Sequence, residues 1–517
     1  MAKSRAELEK KLAGLEQKVI AGDPKTAAKL HEQGNLTARE RIDKLLDPGT
    51  FVEEFMLAET PCMDFGMAER KQLSDGVVTG FGKIDGRPVY VYSQDRSIMA
   101  GSVGAAHAEK IAYVIQTARK VGVPVIGLND SAGARIQEGL SVTSAIGKIF
   151  FENSIASGCI PQISAIMGPC IGVGSYSPAL TDVILQVQNS GQMFITGPAV
   201  IKEVLGETVT MEELGGAKIH SEISGVTDLV AKNDEECLAM IRRLVGFLPP
   251  SFEEKPPRKI TTDDPGRMLD NLEKLVPEDM KRAYNIVQVI KAIVDDGDFF
   301  ELKAKFARNL VIGFGRLDGY PAGFVANQPM FLAGSLDVDA SDKAARFIRF
   351  CDAFNVPVIT LMDVPGFFPG KQQEEKGIIR HGAKMLYAYA EATVPKITIV
   401  LRKGYGGAKQ ALCTREMGAD QLFVWPGVEL AVMGGGGAVN VLYKKEIDQS
   451  ADPAKTRTEK LAEYLERFSG PFEALSKQFA QAAIRPADTR KRLIQSLEIL
   501  RHKKEQRPRK KHGLMPV

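Results

Sequence analysis

The sequence predicts an α/β protein built from two copies of one fold. An internal duplication is the first observation behind this prediction: GFGKIDG (80–86) recurs as GFGRLDG (313–319), 233 residues later. A longer segment, 109–133, recurs as 342–366 at the same shift, with 10 of 25 positions identical. Self-similarity held in one register over separate blocks indicates a repeated structural unit.

The second observation is the alternation of apolar and amphipathic segments within each copy. VPVIGL (123–128) and VPVITLM (356–362) are continuous apolar runs, which are typical of strands covered on both faces of a sheet. An amphipathic helix is predicted before each run, at 107–121 in the first copy. Strands that alternate with helices predict an α/β fold in each copy. The helical side chains expected to be buried are Ile111, Val114, Ile115 and Ala118, and in the second copy Phe347, Ile348, Cys351 and Phe354.

The third observation is a segment rich in proline and charge, LPPSFEEKPPRKITTDDPG (248–266), which separates the copies. It predicts a linker, here bounded at 248–270, between a first domain at 36–247 and a second at 271–517. Residues 1–35 are predicted to hold one N-terminal helix, because Leu8, Leu12, Leu15 and Val19 recur at helical spacing.

Composition narrows the class of protein. The 517 residues include 67 Lys and Arg against 64 Asp and Glu, a net charge of +3, which is too small to indicate a nucleic-acid partner. Six cysteines without a CxxC pair predict free thiols and no zinc ribbon, and no metal site is expected. Neither a signal peptide nor a membrane span is predicted, so a cytoplasmic location is expected.

The motifs that point to a binding or catalytic site are two glycine turns, each between a strand and a helix. IPQISAIM (160–167) leads into GPCIGVGSYSPALTD, and VPKITIVL (394–401) leads into RKGYGGAKQALC. At a shift of 234, Gly172 lies over Gly406. Such junctions present backbone N–H groups to an anion, either an oxyanion or a phosphate. GxxxxGK[ST], GxSxG and HExxH are all absent, so a phosphate loop, a serine nucleophile and a zinc hydrolase are not indicated.

Two further loops follow strands at matched positions. Asp130 coincides with Asp363, and Gly133 coincides with Gly366. The aspartates could belong to the site or could cap helices and fix turns. Arg135 could bind a substrate carboxylate or phosphate, and a structural ion pair is an equal alternative.

At these residues the chain resembles the carboxyltransferase β subunit of biotin-dependent acyl-CoA carboxylases of the propionyl-CoA carboxylase type. The resemblance covers essentially the whole chain. The segments that carry it are LTARERIDKLLDPGTF (36–51), SAGARIQEG (131–139), GPC.G...YSPALTD (168–182), FITGP (194–198), DVPGF.PG (363–370), GIIRHGAK (377–384) and RKKHG (509–513).

The resemblance implies two crotonase/ClpP-like ββα superhelix domains and a homohexamer. It also implies acyl-CoA bound by the first domain and carboxybiotin by the second, with transfer of the carboxyl group through an enolate. Biotin then comes on a partner, because the chain has neither an MKM-type biotinyl site nor a nucleotide-binding loop. A biotin carboxylase and a biotin carboxyl carrier are therefore implied as partners.

The resemblance also assigns residues. Backbone groups around Gly172 and Val173 are expected to hold the thioester oxygen, and those around Gly407 and Ala408 the biotin oxygen. The residues expected to line the substrate sites are Gly133, Ala134, Arg135, Gly174, Gly366, Phe367, Gly406, Lys409 and Gln410.

The chain departs from the family pattern at two places. Val173 stands where the family usually has glycine, which a backbone donor tolerates if its conformation is not restricted to glycine. Lys409 and Gln410 stand where the family commonly has tyrosine followed by aspartate or an apolar residue, at a position that influences the choice of acyl group. A polar or charged acyl chain, or a subunit interface, would each explain them.

Three alternatives stay open. The same family supplies sodium-pumping decarboxylases of the methylmalonyl-CoA type and transcarboxylases, which use the same fold. A crotonase-like scaffold or hydratase is the alternative from another class, but glycines occupy the loops where a hydratase would need acidic and basic side chains.

The basic tail at 501–512 could contact CoA phosphates or a partner, or could simply be solvated.

Overall fold

The computed structural model describes residues 3–517, and the chain divides into two compact units, Met1–Lys255 and Pro256–Val517. The boundary between the units falls inside the proline-rich segment 248–270. No helix within residues 3–517 is both long enough and apolar enough to cross a membrane.

Unit 1 contains an eight-stranded sheet in the order β1-β2-β3-β4-β5-β6-β8, with β7 paired to the end of β5. The first three strands are antiparallel and the others are parallel. The strands are β1 Val52–Glu54, β2 Val77–Ile84, β3 Arg87–Gln94, β4 Val125–Ser131, β5 Gln162–Ile171, β6 Val183–Val187, β7 Gln192–Phe194 and β8 Leu229–Ala231. The helices are α1 Arg5–Ala21, α2 Pro24–Glu32, α3 Ala38–Leu45, α4 Met67–Arg70, α5 Ala105–Val121, α6 Leu140–Ala156, α7 Val173–Ala179, α8 Pro198–Leu205, α9 Met211–Gly215 and α10 Asp234–Val245.

Unit 2 repeats this arrangement in an eight-stranded sheet of order β16-β14-β13-β12-β11-β10-β9, with β15 paired to the end of β13. The strands are β9 Phe300–Leu302, β10 Leu310–Leu317, β11 Tyr320–Asn327, β12 Val358–Val364, β13 Lys396–Tyr405, β14 Gln421–Val424, β15 Glu429–Ala431 and β16 Ala482–Ala483. The helices are α11 Leu272–Leu275, α12 Ile286–Ile293, α13 Val338–Ala353, α14 Lys371–Glu375, α15 Ile378–Glu391, α16 Gly406–Ala411, α17 Gly435–Leu442, α18 Lys444–Asp448, α19 Pro453–Phe468, α20 Pro471–Ser476 and α21 Thr489–Leu500.

The core of each unit lies where the sequence predicts it. Every residue of β4 and of β12 is buried, because helices and neighbouring strands cover these central strands on both faces. The helical side chains that were expected to be buried are buried in the structure: Ile111, Val114, Ile115, Ala118, Phe347, Ile348, Cys351 and Phe354.

The N-terminal segment differs from the expectation of one helix. It forms α1 and α2, which are separated by Gly22 (φ +58°) and Asp23. The Asp23 side chain accepts hydrogen bonds from the first N–H groups of α2, and Pro24 occupies the first position of that helix. An aspartate cap followed by proline begins a new helix. No side chain of α1 is buried against the chain itself.

The duplication extends to a buried lysine in each unit. Lys110 on α5 donates hydrogen bonds to the carbonyls of Ser74 and Val77, and Lys343 on α13 donates to those of Phe306 and Leu310, both at 2.7 Å. Lys110 and Lys343 are 233 positions apart, as are Val77 and Leu310. Each ammonium group therefore links the backbone at the start of a hairpin, β2–β3 or β10–β11, to the helix that follows it, α5 or α13. Buried carbonyl oxygens need such hydrogen-bond donors.

Candidate functional site

The two predicted glycine turns have the same local geometry. Gly172 joins β5 to α7 with φ +60°, and Gly406 opens α16 directly after β13 with φ +57°. A positive φ is easily reached only without a Cβ atom, so glycine allows the strand to pass directly into the helix. The two turns stand at equivalent places in the two sheets.

In unit 1 one of the two predicted donors, the N–H of Gly172, is already used within the fold. The N–H of Gly172 donates to the Phe194 carbonyl at 2.9 Å, which extends the pairing of β5 with β7. Gly172 therefore shapes the turn and does not supply a free donor. The free donors are the N–H groups of Val173 and Gly174, because the first residues of a helix have no intrahelical acceptor.

Val173 stands where the family usually has glycine, and its backbone conformation is one that residues other than glycine adopt. It begins α7 and does not belong to the residues with positive φ. Nothing lies within 4 Å of the space that a Gly174 side chain would occupy, so the start of α7 is open on that side.

The structure brings Gly133 and Ala134 to this turn. A Cβ atom on Gly133 would lie 2.8 Å from the Ile171 carbonyl, and Gly133 itself has φ +92°. Ala134 forms a parallel bridge with Val103, in which the Gly133 carbonyl accepts from the Val103 N–H at 2.8 Å. Gly133 thus lets the loop after β4 approach the end of β5 closely.

Arg135 does not face this opening, and the structure corrects its assignment as a substrate ligand. Its side chain is 2 % exposed, and Nη1 lies 2.6 Å from Asp75 Oδ1 and 2.9 Å from Glu138 Oε1. Nη2 donates to the Ser102 carbonyl at 2.8 Å. The guanidinium group is bonded to residues of unit 1 itself, so Arg135 forms the structural ion pair that was the alternative prediction. Its role is to fix the loop that carries Ala134.

In unit 2 the first N–H groups of α16 belong to Gly406, Gly407 and Ala408. The ring of Phe367 lies beside them, because a Cβ atom on Gly407 would be 3.9 Å from Phe367 Cε2 and nothing else would be within 4 Å. The same ring packs on Gly382 of α15, where a Cβ atom would be only 2.9 Å away. Two of the predicted residues, Phe367 and Gly407, therefore lie side by side, and the third, Ala408, follows Gly407 in α16 with its side chain buried.

The loop that carries Phe367 matches the loop that carries Ala134. Leu336 forms a parallel bridge with Phe367, and its N–H donates to the Gly366 carbonyl at 3.1 Å. Gly366 has φ +148° with no heavy atom within 4 Å of a Cβ position, so it has open space on its Cα face.

Lys409 and Gln410 face a cavity of about 290 Å³ in unit 2. The cavity also contacts β12 through Met362 and β13 through Val400. Burial lowers the pKa of Lys409, and the Glu416 carboxylate opposes part of that shift.

The matched aspartates hold buried arginines, a pairing that sequence reasoning missed. Asp130 Oδ2 lies 3.1 Å from Nη1 of Arg41, and Asp363 Oδ2 lies 2.9 Å from Nη2 of Arg402. Neither aspartate caps a helix. The coincidence of Asp130 and Asp363 in the duplication was the available signal, but nothing in the sequence connects Asp130 with Arg41, which is 89 residues away.

The arrangement offers paired backbone donors at two equivalent openings. Such donors stabilise an oxygen that gains negative charge during a reaction. The thiols next to the turns do not add a nucleophile, because burial raises the pKa of Cys170 and raises that of Cys413 to about 12.

Comparison with known proteins decides the family. Residues 29–515 match the family model described as "Carboxyl transferase domain". The chain belongs to the carboxyl transferase family. The predicted carboxyltransferase activity and the duplicated crotonase-type α/β fold are thereby confirmed.

This carboxyltransferase is 50% identical over 496 residues to methylmalonyl-CoA decarboxylase subunit alpha of Veillonella parvula, covering 96% of each chain. It is also 50% identical over 502 residues to the propionyl-CoA carboxylase carboxyltransferase subunit of Haloferax mediterranei, covering 97% of each chain. Among solved structures it matches the transcarboxylase 12S hexamer with methylmalonyl-coenzyme A bound, with a TM-score of 0.97 and 47% identity over 100% of this chain and 99% of that one.

Proposed function

We propose that this carboxyltransferase moves a carboxyl group from carboxybiotin to the α-carbon of a short acyl-CoA such as propionyl-CoA, as a subunit of a biotin-dependent acyl-CoA carboxylase. The observation that carries the proposal is the pair of equivalent strand–glycine–helix turns, one in each unit. A reaction between two carbonyl-containing partners, each of which develops negative charge on oxygen, needs two donor sites.

The unit 1 turn is assigned to the acyl-CoA. The N–H groups of Val173 and Gly174 would hold the thioester oxygen as the α-carbon loses its proton. The loss of one such donor typically costs ~3–4 kcal/mol of barrier. Gly133 and Ala134 would form the adjoining wall, which Arg135 holds in place from inside.

The unit 2 turn is assigned to biotin. Its fit rests on the open space at Gly407, where only the edge of the Phe367 ring lies within 4 Å of a Cβ position. The N–H groups of Gly407 and Ala408 would hold the ureido oxygen, and Phe367 would cover one side of the ring system. Carboxybiotin, when bound, supplies the carboxyl group and the proton acceptor, so no protein nucleophile is needed.

The partners follow from this chemistry. A biotin carboxylase and a biotin carboxyl carrier would load and deliver the biotin. We further propose that the enzyme is a cytoplasmic homohexamer, in line with the hexameric structure of transcarboxylase 12S.

The same site would serve a sodium-pumping decarboxylase or a transcarboxylase, which is the second candidate. The observation that favours it is the equal identity, 50%, to the decarboxylase subunit of Veillonella parvula and to the carboxylase subunit of Haloferax mediterranei.

The test is an assay of the purified subunit with free biotin and a panel of carboxylated acyl-CoAs. Release of CO2 from methylmalonyl-CoA is the expected result, and no release from malonyl-, methylmalonyl- or larger carboxyacyl-CoA would refute both candidates. Sodium-dependent activity that requires membranes in extracts would favour the decarboxylase.

A further inference from the structure

The cavity beside α16 has the composition of a ligand site. Its volume is about 290 Å³, which is close to the lower end of the range for small-molecule sites, about 300 Å³. Most of its wall is apolar and comes from Met362, Val400, Leu422, Leu430, Phe468 and Phe479. Small-molecule sites are typically apolar cavities with a few converging polar groups.

Lys409 contributes a positive charge to the wall of this cavity. Its stem lies against the backbone of β13, since a Cβ atom on Gly404 would be 3.4 Å from Lys409 Cγ. Among residues 3–517, none forms a hydrogen bond or an ion pair with its ammonium group. A partly buried ammonium without an acceptor is costly unless a ligand supplies one.

Gln410 adds a second donor next to Lys409. The Thr414 hydroxyl donates a hydrogen bond to Gln410 Oε1. The amide oxygen has thereby used one of its two lone pairs, and the NH2 group can donate. The Lys409 ammonium and the Gln410 amide thus offer more donors than acceptors.

The acidic groups at the cavity leave the Lys409 ammonium without an ion pair, although the Glu416 carboxylate attracts it. Glu473 is paired with Lys477, and Glu416 is exposed to solvent. Neither forms an ion pair with Lys409.

We propose that this cavity binds a short-chain carboxylate, with the carboxylate at Lys409 and Gln410 and the alkyl chain against the apolar wall. The ligand could be a free carboxylic acid or the distal carboxylate of an acyl-CoA. The second source rests on the proposed function.

The test measures binding of hexanoate, hexanol and hexylammonium to the full chain by titration calorimetry. Hexanoate should bind at least tenfold more tightly than either other compound, because a charge-assisted hydrogen bond forms only with the carboxylate. Lys409→Met keeps the length of the side chain but removes the charge, and should lower hexanoate affinity about tenfold or more. Equal affinity for hexanol, or unchanged hexanoate binding in Lys409→Met, would overturn the proposal.

Two controls separate the site from general effects. Lys409→Arg should restore binding to within a few fold of the original chain. Lys371→Met, which removes an exposed charge elsewhere in unit 2, should leave binding unchanged. If Lys371→Met weakened hexanoate as much as Lys409→Met, the attraction would be a property of net charge and the site would be refuted.

A further comparison distinguishes the two sources. Adipate binding is measured directly, and hexanoyl-CoA is compared with adipyl-CoA as a substrate. A preference for adipyl-CoA that disappears in Lys409→Met identifies the acyl group as the ligand. Adipate binding that depends on Lys409, with unchanged acyl-CoA preference, identifies a free acid. Because calorimetry needs no turnover, failure of the carboxyl transfer itself is distinguishable from failure of this site.

Discussion

Arg402 and Asp363 form a buried ion pair at the carboxyl edge of the second sheet. The Nε and Nη2 atoms of the arginine each lie 2.9 Å from Oδ2 of the aspartate, and both side chains are at most 4 % exposed. The other carboxylate oxygen accepts the Lys403 N–H at 3.2 Å. The pair therefore holds the end of β12 against β13, next to the strand that leads into the Gly406 turn.

In the first sheet the equivalent aspartate also pairs with a buried arginine, but that arginine comes from a different position in the chain. Asp130 occupies the position of Asp363, but the residue equivalent to Arg402 is Gly168. A Cβ atom on Gly168 would lie 2.0 Å from Asp130 Oδ1, so a side chain there is impossible. Arg41 of α3 supplies the guanidinium instead. The charge pairing was kept in both copies although the arginine was not.

We expect Asp363→Ala to destabilise unit 2, because it leaves Arg402 buried without its counter-charge. Breaking a buried ion pair from one side typically costs ~3–5 kcal/mol. The loss should lie towards the lower end of this range, because Arg402 Nη1 also donates to the carbonyls of Asp279 and Arg282. Urea denaturation at fixed protein concentration measures the change.

Glu375→Ala is the matched control for this experiment. It breaks an exposed pair with Lys371, whose effect on the free energy of unfolding should stay within ~1 kcal/mol. If the urea midpoint of Asp363→Ala were as close to that of the original chain as the midpoint of Glu375→Ala, the ion pair would not stabilise unit 2 as we expect.

Gly407→Pro should abolish most carboxyl transfer while the fold survives. Proline removes the N–H at the second position of α16, where no intrahelical bond is lost, and helices accept proline in their first turn. The loss of one oxyanion donor predicts a decrease in kcat of about 10²–10³-fold. The decarboxylation assay with free biotin measures it.

Gly407→Ala keeps the N–H and adds only a methyl group, which would meet Phe367 at an ordinary 3.9 Å. It should therefore retain turnover within a few fold. Similar rates for the proline and alanine variants would show that the donor is not used.

Val173→Pro makes the same test in unit 1. Val173 is the first residue of α7, a position at which proline is favoured, so the helix should form. We expect a fall in kcat of about 10²-fold or more, since the thioester oxygen loses one of its two donors. Val173→Ala provides the comparison, and a proline variant as active as the alanine variant would remove Val173 from the site.

His107 should make unit 1 sensitive to acid. Burial, with Arg135 and Lys110 nearby, lowers the pKa of His107 to about 3. The neutral ring fits its surroundings, with Nδ1 3.0 Å from the Asp75 carbonyl oxygen and Nε2 3.2 Å from the Gln94 amide nitrogen. The unfolded chain binds a proton near pH 6.5 and the folded chain does not, so stability is lost as the pH falls from about 6.5 towards 3.

The expected loss from this histidine is about 2 kcal/mol between pH 7 and pH 5. His107→Gln should remove that part of the pH dependence, because glutamine can donate and accept but does not titrate. The stability difference between His107→Gln and the original chain should therefore shrink by about 2 kcal/mol at pH 5. A difference that is the same at both pH values would contradict a neutral buried His107.

Much of the fold could be predicted from the sequence because the relevant signals are local. The apolar run at 356–362 indicates a central strand, and the structure places β12 there with every residue buried. The glycines at 172 and 406 predict turns, because φ values near +60° favour a residue without a Cβ atom. The N-terminal segment was predicted less well, since the helical spacing of its leucines concealed the break at Asp23 and Pro24.

The sequence by itself determined the duplicated α/β fold, the family and the positions of the two turns. These depend on periodicity, on glycine conformation and on motifs that are contiguous in the chain. The tertiary structure decided which groups are free to act. It directed the Gly172 N–H to the Phe194 carbonyl and enclosed Arg135 between Asp75 and Glu138. It also left the Lys409 ammonium without a hydrogen bond or an ion pair to any of residues 3–517. Such outcomes depend on hydrogen bonds and charges between residues far apart in the chain, and only folding brings these residues together.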